Sequence, residues 1–295
     1  LVGGHKYLAA SSRRRRPART AETAAGEPSR GFPPKGRRQP RAARFLRGSV
    51  RVATGIPVCL CDFDFAGPNV ALFFDIKNRP GIEKLSGKIH VERYLRELLV
   101  RVGDNLVVLP GPMDGTVPYF EPGRLVEVVD WLSREYLVVG DTPPEYWDKK
   151  PWLEGLFPRA DLILAVVDQS KFSLGETEKY VPKMLLMGAD PGRIRIVCNR
   201  FSAKLASIRK VEAHFCAGLK VKKGCPRPRV IAAIPGEWEE HVKKSYRGEI
   251  AGADDPHSPW HILAAEVAKE LGLSYRLPSA GEKKSFWKLF GKGGK

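Results

Sequence analysis

Short runs of β-branched and apolar residues recur along this chain, each closing on a polar or turn residue. The run Pro57-Val-Cys-Leu-Cys-Asp-Phe-Asp64 is bounded by Gly55 and Pro57 and ends in two carboxylates. It is too short for a helix and reads as a strand buried on both faces. Similar runs predict strands at about 105–109, 135–139, 161–167, 194–198 and 229–234, beside this one at about 57–61. Helical spacing appears between them, at Gly81–Leu85, His90–Val100, Glu121–Arg134, Glu176–Met187 and Trp260–Leu271. Gly188 follows the fourth of these as its C-terminal cap. Strands alternating with helices predict an α/β fold, a three-layer, doubly wound and mostly parallel sheet.

The pattern divides the chain. Residues 1–51 lack apolar periodicity and are rich in Arg, Pro, Gly and Ala, as in Arg13-Arg-Arg-Arg16. They read as a basic, disordered arm. Residues 52–273 carry the α/β pattern, 274–281 form a linker with Pro278 and Gly281, and 282–295 are a separate tail. Composition sharpens this division. The chain of 295 residues has a net charge of +17. Residues 1–51 hold 14 Lys and Arg against 2 Asp and Glu, so the arm alone carries +12. Such an arm is suited to phosphate polymers or anionic lipid. Five cysteines without CxxC spacing read as reduced thiols of a cytoplasmic protein. No apolar run approaches the roughly 18 residues of a membrane span, and the N-terminal residues show no signal-peptide pattern.

Two stretches carry candidate chemistry. Asp62 and Asp64 fall at a strand's carboxyl end, where open α/β sheets bind ligands. They can hold Mg²⁺ through its waters or orient an attacking water, or they can simply cap the strand in solvent. In the tail, Phe286, Trp287, Leu289 and Phe290 share one helical side, with Lys283, Lys284, Lys288 and Lys292 around them. Aromatics interleaved with lysines suit a helix lying in the plane of an anionic membrane surface. The other reading is a segment docked on its own domain; the many lysines beside few apolar residues favour the membrane.

The order of these motifs resembles the MinD/ParA family of deviant-P-loop ATPases, with CpaE-like and flagellar-number members as close variants. It rests on Asp62-Phe-Asp64, Leu-Val-Val-Leu-Pro-Gly-Pro112, Asp141-Thr-Pro-Pro144, Ala-Asp-Leu-Ile-Leu-Ala-Val-Val-Asp168, Ile-Val-Cys-Asn-Arg200 and Ile234-Pro235. It covers about residues 52–273, and the tail resembles the membrane-targeting helix of MinD. The resemblance implies a P-loop NTPase type of fold that uses ATP and Mg²⁺. It implies that Asp64 positions the hydrolytic water, that Asp62 and Asp141 lie at the metal, and that Asn199 reads adenine beside Arg200 and Pro235. It further implies an ATP-driven homodimer at the inner face of the cell membrane. That dimer positions a regulatory or cargo protein of a division, pilus or flagellar machine.

One part of the family pattern is not spelled. Its phosphate loop, Lys-Gly-Gly-x-Gly-Lys-Thr, wraps phosphates with backbone N–H groups and lysines. The residues before position 52 contain no such string, and the first strand is expected to be lost with it. Pro34-Lys35-Gly36 lies 27 residues before Asp62, the spacing a loop, one helix and a turn need. Gly291-Lys-Gly-Gly-Lys295 imitates the loop at the wrong end of the chain. Three accounts are open: a pseudo-ATPase scaffold with a basic arm, a DNA-partitioning protein using residues 13–51 on nucleic acid, or a reading-frame artefact over a normal phosphate loop. As written, the chain is expected to be inactive as an ATPase.

Overall fold

The computed structural model describes residues 6–11, 56–88, 91–103, 105–114, 117–121, 123–143, 153, 155–219, 226–236, 238–246, 255 and 257–275. The alternation of β2 (Val58–Asp62) shows how the layers arise. All five of its residues are buried. Val58 and Leu60 belong to one apolar cluster, Cys59 and Cys61 to the other. Successive side chains of a strand point to opposite faces, so a strand apolar at every position must be covered on both.

The cysteine face is covered by α2 (Val91–Leu98), α3 (Arg124–Leu132), α4 (Leu156–Arg159), α5 (Lys171–Leu186) and α6 (Ile208–Leu219). The other face is covered by the short α1 (Val70–Phe73) and by α8 (Pro259–Glu270). A further helix, α7 (Trp238–Ser245), follows the last strand. Helices on both faces of one sheet make the expected three-layer α/β architecture.

Eight strands form that sheet among the described residues. β1 is Lys6–Ser11, β3 is Val100–Gly103, β4 is Leu106–Leu109 and β5 is Leu137–Asp141. β6 is Leu162–Val167, β7 is Ile194–Phe201 and β8 is Val230–Pro235. Their spatial order is β3-β4-β2-β5-β1-β6-β7-β8. The pairs β4–β2, β2–β5, β6–β7 and β7–β8 are parallel. The six strands expected from the sequence are all present, within about two residues at their starts and up to three at their ends.

Three of the differences from the sequence reading fall before residue 104. His90–Val100 reads as one helix, but Val100 already begins β3, which pairs antiparallel with β4. The alternation Val100-Arg-Val102 is a strand signal that the longer helical pattern covered. Gly81–Leu85 reads as helix and forms a 3₁₀ turn at Ile82–Leu85.

The third difference is at the N-terminus, where the first strand was expected to be lost and the arm to be disordered. Residues 6–11 instead form β1, antiparallel to both β5 and β6 at the centre of the sheet. Its core Tyr7-Leu-Ala-Ala10 is the least polar run of the arm. Without a strand there, two rows of backbone N–H and C=O groups inside the sheet would lack partners. Residues 12–55, which include Lys35, and residues 276–295, which include the tail, lie outside the described residues.

Candidate functional site

The carboxyl ends of the parallel strands share one edge, and most of the predicted site residues meet along it. Asp62 and Asp141 are register partners at the ends of β2 and β5. Both are buried, and the Phe63 N–H donates to the Asp141 carbonyl at 2.8 Å. The Asp62 carboxylate is engaged three times by backbone. Oδ1 accepts from Asp64 N at 3.2 Å, and Oδ2 accepts from Asn69 N and Val70 N at 3.0 Å each. Asp62 therefore folds the loop 63–70 around itself and supplies acceptors to the start of α1. A carboxylate near helical N–H groups is stabilising there.

Asp64 lies inside this loop, 6 % exposed. Its carbonyl accepts from Gly67 N at 3.1 Å, which closes the turn. Phe65 packs on Phe120 with ring centroids 5.5 Å apart and anchors the loop to the core. The loop leans on two glycines that sequence reasoning missed. A Cβ on Gly111 would stand 2.7 Å from Pro68 Cβ and 3.2 Å from Asp62 Cγ. A Cβ on Gly81 would stand 2.0 Å from the Gly111 carbonyl oxygen. The strand-to-loop turn at Pro110-Gly-Pro112 thus sits between Asp62 and Gly81, where only glycine fits. The Pro-Gly dipeptides at 80–81 and 110–111 signal turns, but not that the two turns touch.

A second group stands at the ends of β7 and β8. Phe201 and Pro235 are register partners, and Gly236 lies against Arg200, its nearest neighbour 3.5 Å from an added Cβ. Arg200 has φ of 52°, the left-handed region that costs an L-residue roughly 1–2 kcal/mol. Asn199 Oδ1 accepts from Arg200 N at 3.0 Å, a local bond that supports the bend. Asn199, Arg200 and Pro235 are therefore brought together. Cys198 below them is buried, which pushes its thiol up to about 11, with the nearby Asp168 charge adding to the rise.

The two groups are separated along the edge by β1 and β6. Three strand spacings of about 4.8 Å put β5 and β7 on the order of 14 Å apart. That is a span an extended nucleotide covers. Between them, β1 runs against its neighbours, Lys6 opposite Val166 and Ser11 opposite Val138. Its amino end is therefore at the ligand edge and its carboxyl end at the far edge.

The residues present fit an adenine-nucleotide role at the β7–β8 end, where an amide and a bent backbone converge. They do not fit a protein-made Mg²⁺ cage. Asp62 has both oxygens engaged by backbone, and the described residues contain no group of three or more His, Cys, Asp or Glu able to hold a metal ion. The residues expected to bind a membrane, Lys283, Lys284, Phe286, Trp287, Lys288, Leu289 and Phe290, lie outside the described residues. Among those described, no helix is long and apolar enough to cross a membrane.

No family model matches the chain, and no curated protein matches it in sequence. Solved structures do match in fold. A MinD cell division protein of Aquifex aeolicus superposes with TM-score 0.55 at 19% identity, covering 80% of this chain and 92% of that one. A ParA family ATPase of Chlorobium tepidum TLS gives TM-score 0.58 at 15% identity, covering 77% and 91%. An ATP complex of a Cyanothece McdA variant gives 0.51 at 16% identity, covering 80% and 92%. The architecture of this chain is that of the MinD/ParA-like α/β fold.

Proposed function

We propose that this chain is a MinD/ParA-like protein that works at a membrane surface, where it positions a partner protein. The observation that carries the reading is the carboxyl edge. It holds the paired Asp62 and Asp141 at one end and Asn199, Arg200 and Pro235 at the other. The spacing between them suits a nucleotide. The similarity of fold to MinD and ParA proteins, and to McdA in a complex with ATP, supports the same reading.

In this reading Asn199 reads the base, since an amide offers a donor and an acceptor side by side. Asp64 holds a water in the closed loop, and Asp62 keeps that loop in shape. A nucleotide bound between two copies would bring two tails to one surface. Doubled weak anchors multiply effective affinity. The absence of a Lys-Gly-Gly-x-Gly-Lys-Thr string from the sequence favours a particular form of this function. In this form the chain is a scaffold that senses nucleotide weakly and does not turn ATP over. ATP turnover belongs to a form with a phosphate loop at the ligand edge.

The membrane arm of this reading is tested by co-sedimentation of the full chain with vesicles. Anionic phosphatidylglycerol vesicles should pellet it and neutral phosphatidylcholine vesicles should not. A chain ending at Gly281 should stay in solution with both. Equal pelleting of the two chains would assign the lipid contact to the basic arm. Pelleting with duplex DNA alone would replace the membrane reading by DNA partitioning.

A further inference from the structure

Gln169 lies between β6 and α5 and is 9% exposed. Both ends of its amide are used, and both on one distant loop. Oε1 accepts from Ser202 N at 2.7 Å, and Nε2 donates to the Ala206 carbonyl at 2.8 Å. The residues between are Ala203, Lys204 and Leu205, all exposed, with Leu205 at 73%. A turn closed by Leu205 N on the Ser202 carbonyl at 3.0 Å joins them. This loop has little apolar packing of its own, and one side chain fastens both of its ends.

The anchor itself is rigid. Asp168 Oδ1 accepts from Ser170 N at 2.8 Å, and Asp168 N donates to Ser173 Oγ at 3.1 Å. Ser170 Oγ caps α5 by accepting from Ser173 N at 3.1 Å. Gln169 thus projects from a turn bonded on both sides into the start of a 16-residue helix. The loop it holds begins two residues after Arg200, where a φ of 52° bends the chain beside Asn199. A bend in the left-handed region persists only where its surroundings impose it.

We infer that Gln169 is a positioning residue for recognition of a 6-aminopurine base. It fixes the loop 202–206, and through it the bend at Arg200 that aims the Asn199 amide. This rests on the nucleotide reading above and adds the device that sets its specificity. An amide must meet the base edge within hydrogen-bond distance and angle to discriminate an amino group from a carbonyl. Replacing Gln169 by Leu strands the Ser202 N–H and the Ala206 carbonyl and frees the bend. Replacing it by Glu keeps an acceptor for Ser202 and loses the donor to Ala206.

The experiment is titration calorimetry of the full chain with magnesium ATP and, separately, magnesium GTP. Unfolding midpoints are measured in parallel. The wild-type chain should prefer ATP by about tenfold or more. Gln169→Leu should lower the ATP affinity about tenfold and leave the two nucleotides nearly equal, and Gln169→Glu should fall between. Arg195→Ala breaks an ion pair remote from the loop, at the β7–α8 contact, and serves as a stability-matched control that should keep the preference. Full preference in a folded Gln169→Leu chain overturns this inference and leaves the nucleotide reading standing. A wild-type chain that binds neither nucleotide, or both equally, overturns the nucleotide reading and this inference with it.

Discussion

Asp62 shows how a residue read as metal-binding can owe its place to folding. Its carboxylate satisfies three backbone N–H groups in a buried loop. Leaving a buried donor unpaired costs about 1–3 kcal/mol. Asp62→Ala should therefore destabilise the chain by at least that amount, read as a lower urea midpoint. Asp62→Asn, which keeps one acceptor oxygen, should cost less. An unchanged midpoint in the alanine variant would return Asp62 to a purely ligand-facing role. The thiols offer a second check at this scale. Cys59, Cys61 and Cys198 are buried, and burial raises the Cys61 and Cys198 thiols, the latter to about 11. They should react with a disulfide reagent at neutral pH only after unfolding, whereas the partly buried Cys216 should react earlier. The strand-end aspartates were legible in the sequence because an apolar strand ending in Asp is a local signal. Gly81 and Gly111 were not, because a close approach between segments thirty residues apart leaves no local trace.

At the scale of elements, the fit between β7, β8 and α8 is held by charge as well as by apolar packing. Arg195 on β7 meets Glu270 on α8 at 2.6 Å, and Arg229 before β8 meets the same carboxylate at 2.8 Å and Glu266 at 3.2 Å. The hydrogen bond from Arg195 is the largest influence on Glu270 and holds its carboxyl below the ordinary 4.5. The folded value is below the unfolded one, so this contribution is complete above about pH 4.5. It is lost as pH falls through the lower folded value. Wild-type stability should drop in that acid range, and Glu270→Gln should flatten part of the drop while lowering stability at pH 7. Identical pH profiles for the two chains would remove the triad from the account. Elements with strong periodicity were legible at this scale. Helix α5 starts five residues earlier than its apolar pattern announces, because the Ser170 cap sets its start. β3 was absorbed into the preceding helix, and α1, α4, α6 and α7 were not anticipated. The first two span only four residues each, and the other two lie in stretches rich in charged residues.

For the whole molecule, the layer order was legible because each buried strand announces itself by apolar residues on both faces. The centre of the sheet was not. The direction of β1 depends on which edge of β5 and β6 it meets, and no pattern in Tyr7-Leu-Ala-Ala10 encodes that. This direction sets the amino end of β1 at the edge that carries Asp62, Asp141 and Pro235. Charge follows the same division, with +12 of the +17 in residues 1–51. The most direct test of the central claim is equilibrium binding of magnesium ATP to the full chain and to Asn199→Ala. The account predicts binding weaker than about 0.1 mM, less than about 5.5 kcal/mol, and its loss in the variant. Micromolar binding that survives Asn199→Ala would contradict it, because the affinity would then come from a phosphate site that the account does not contain.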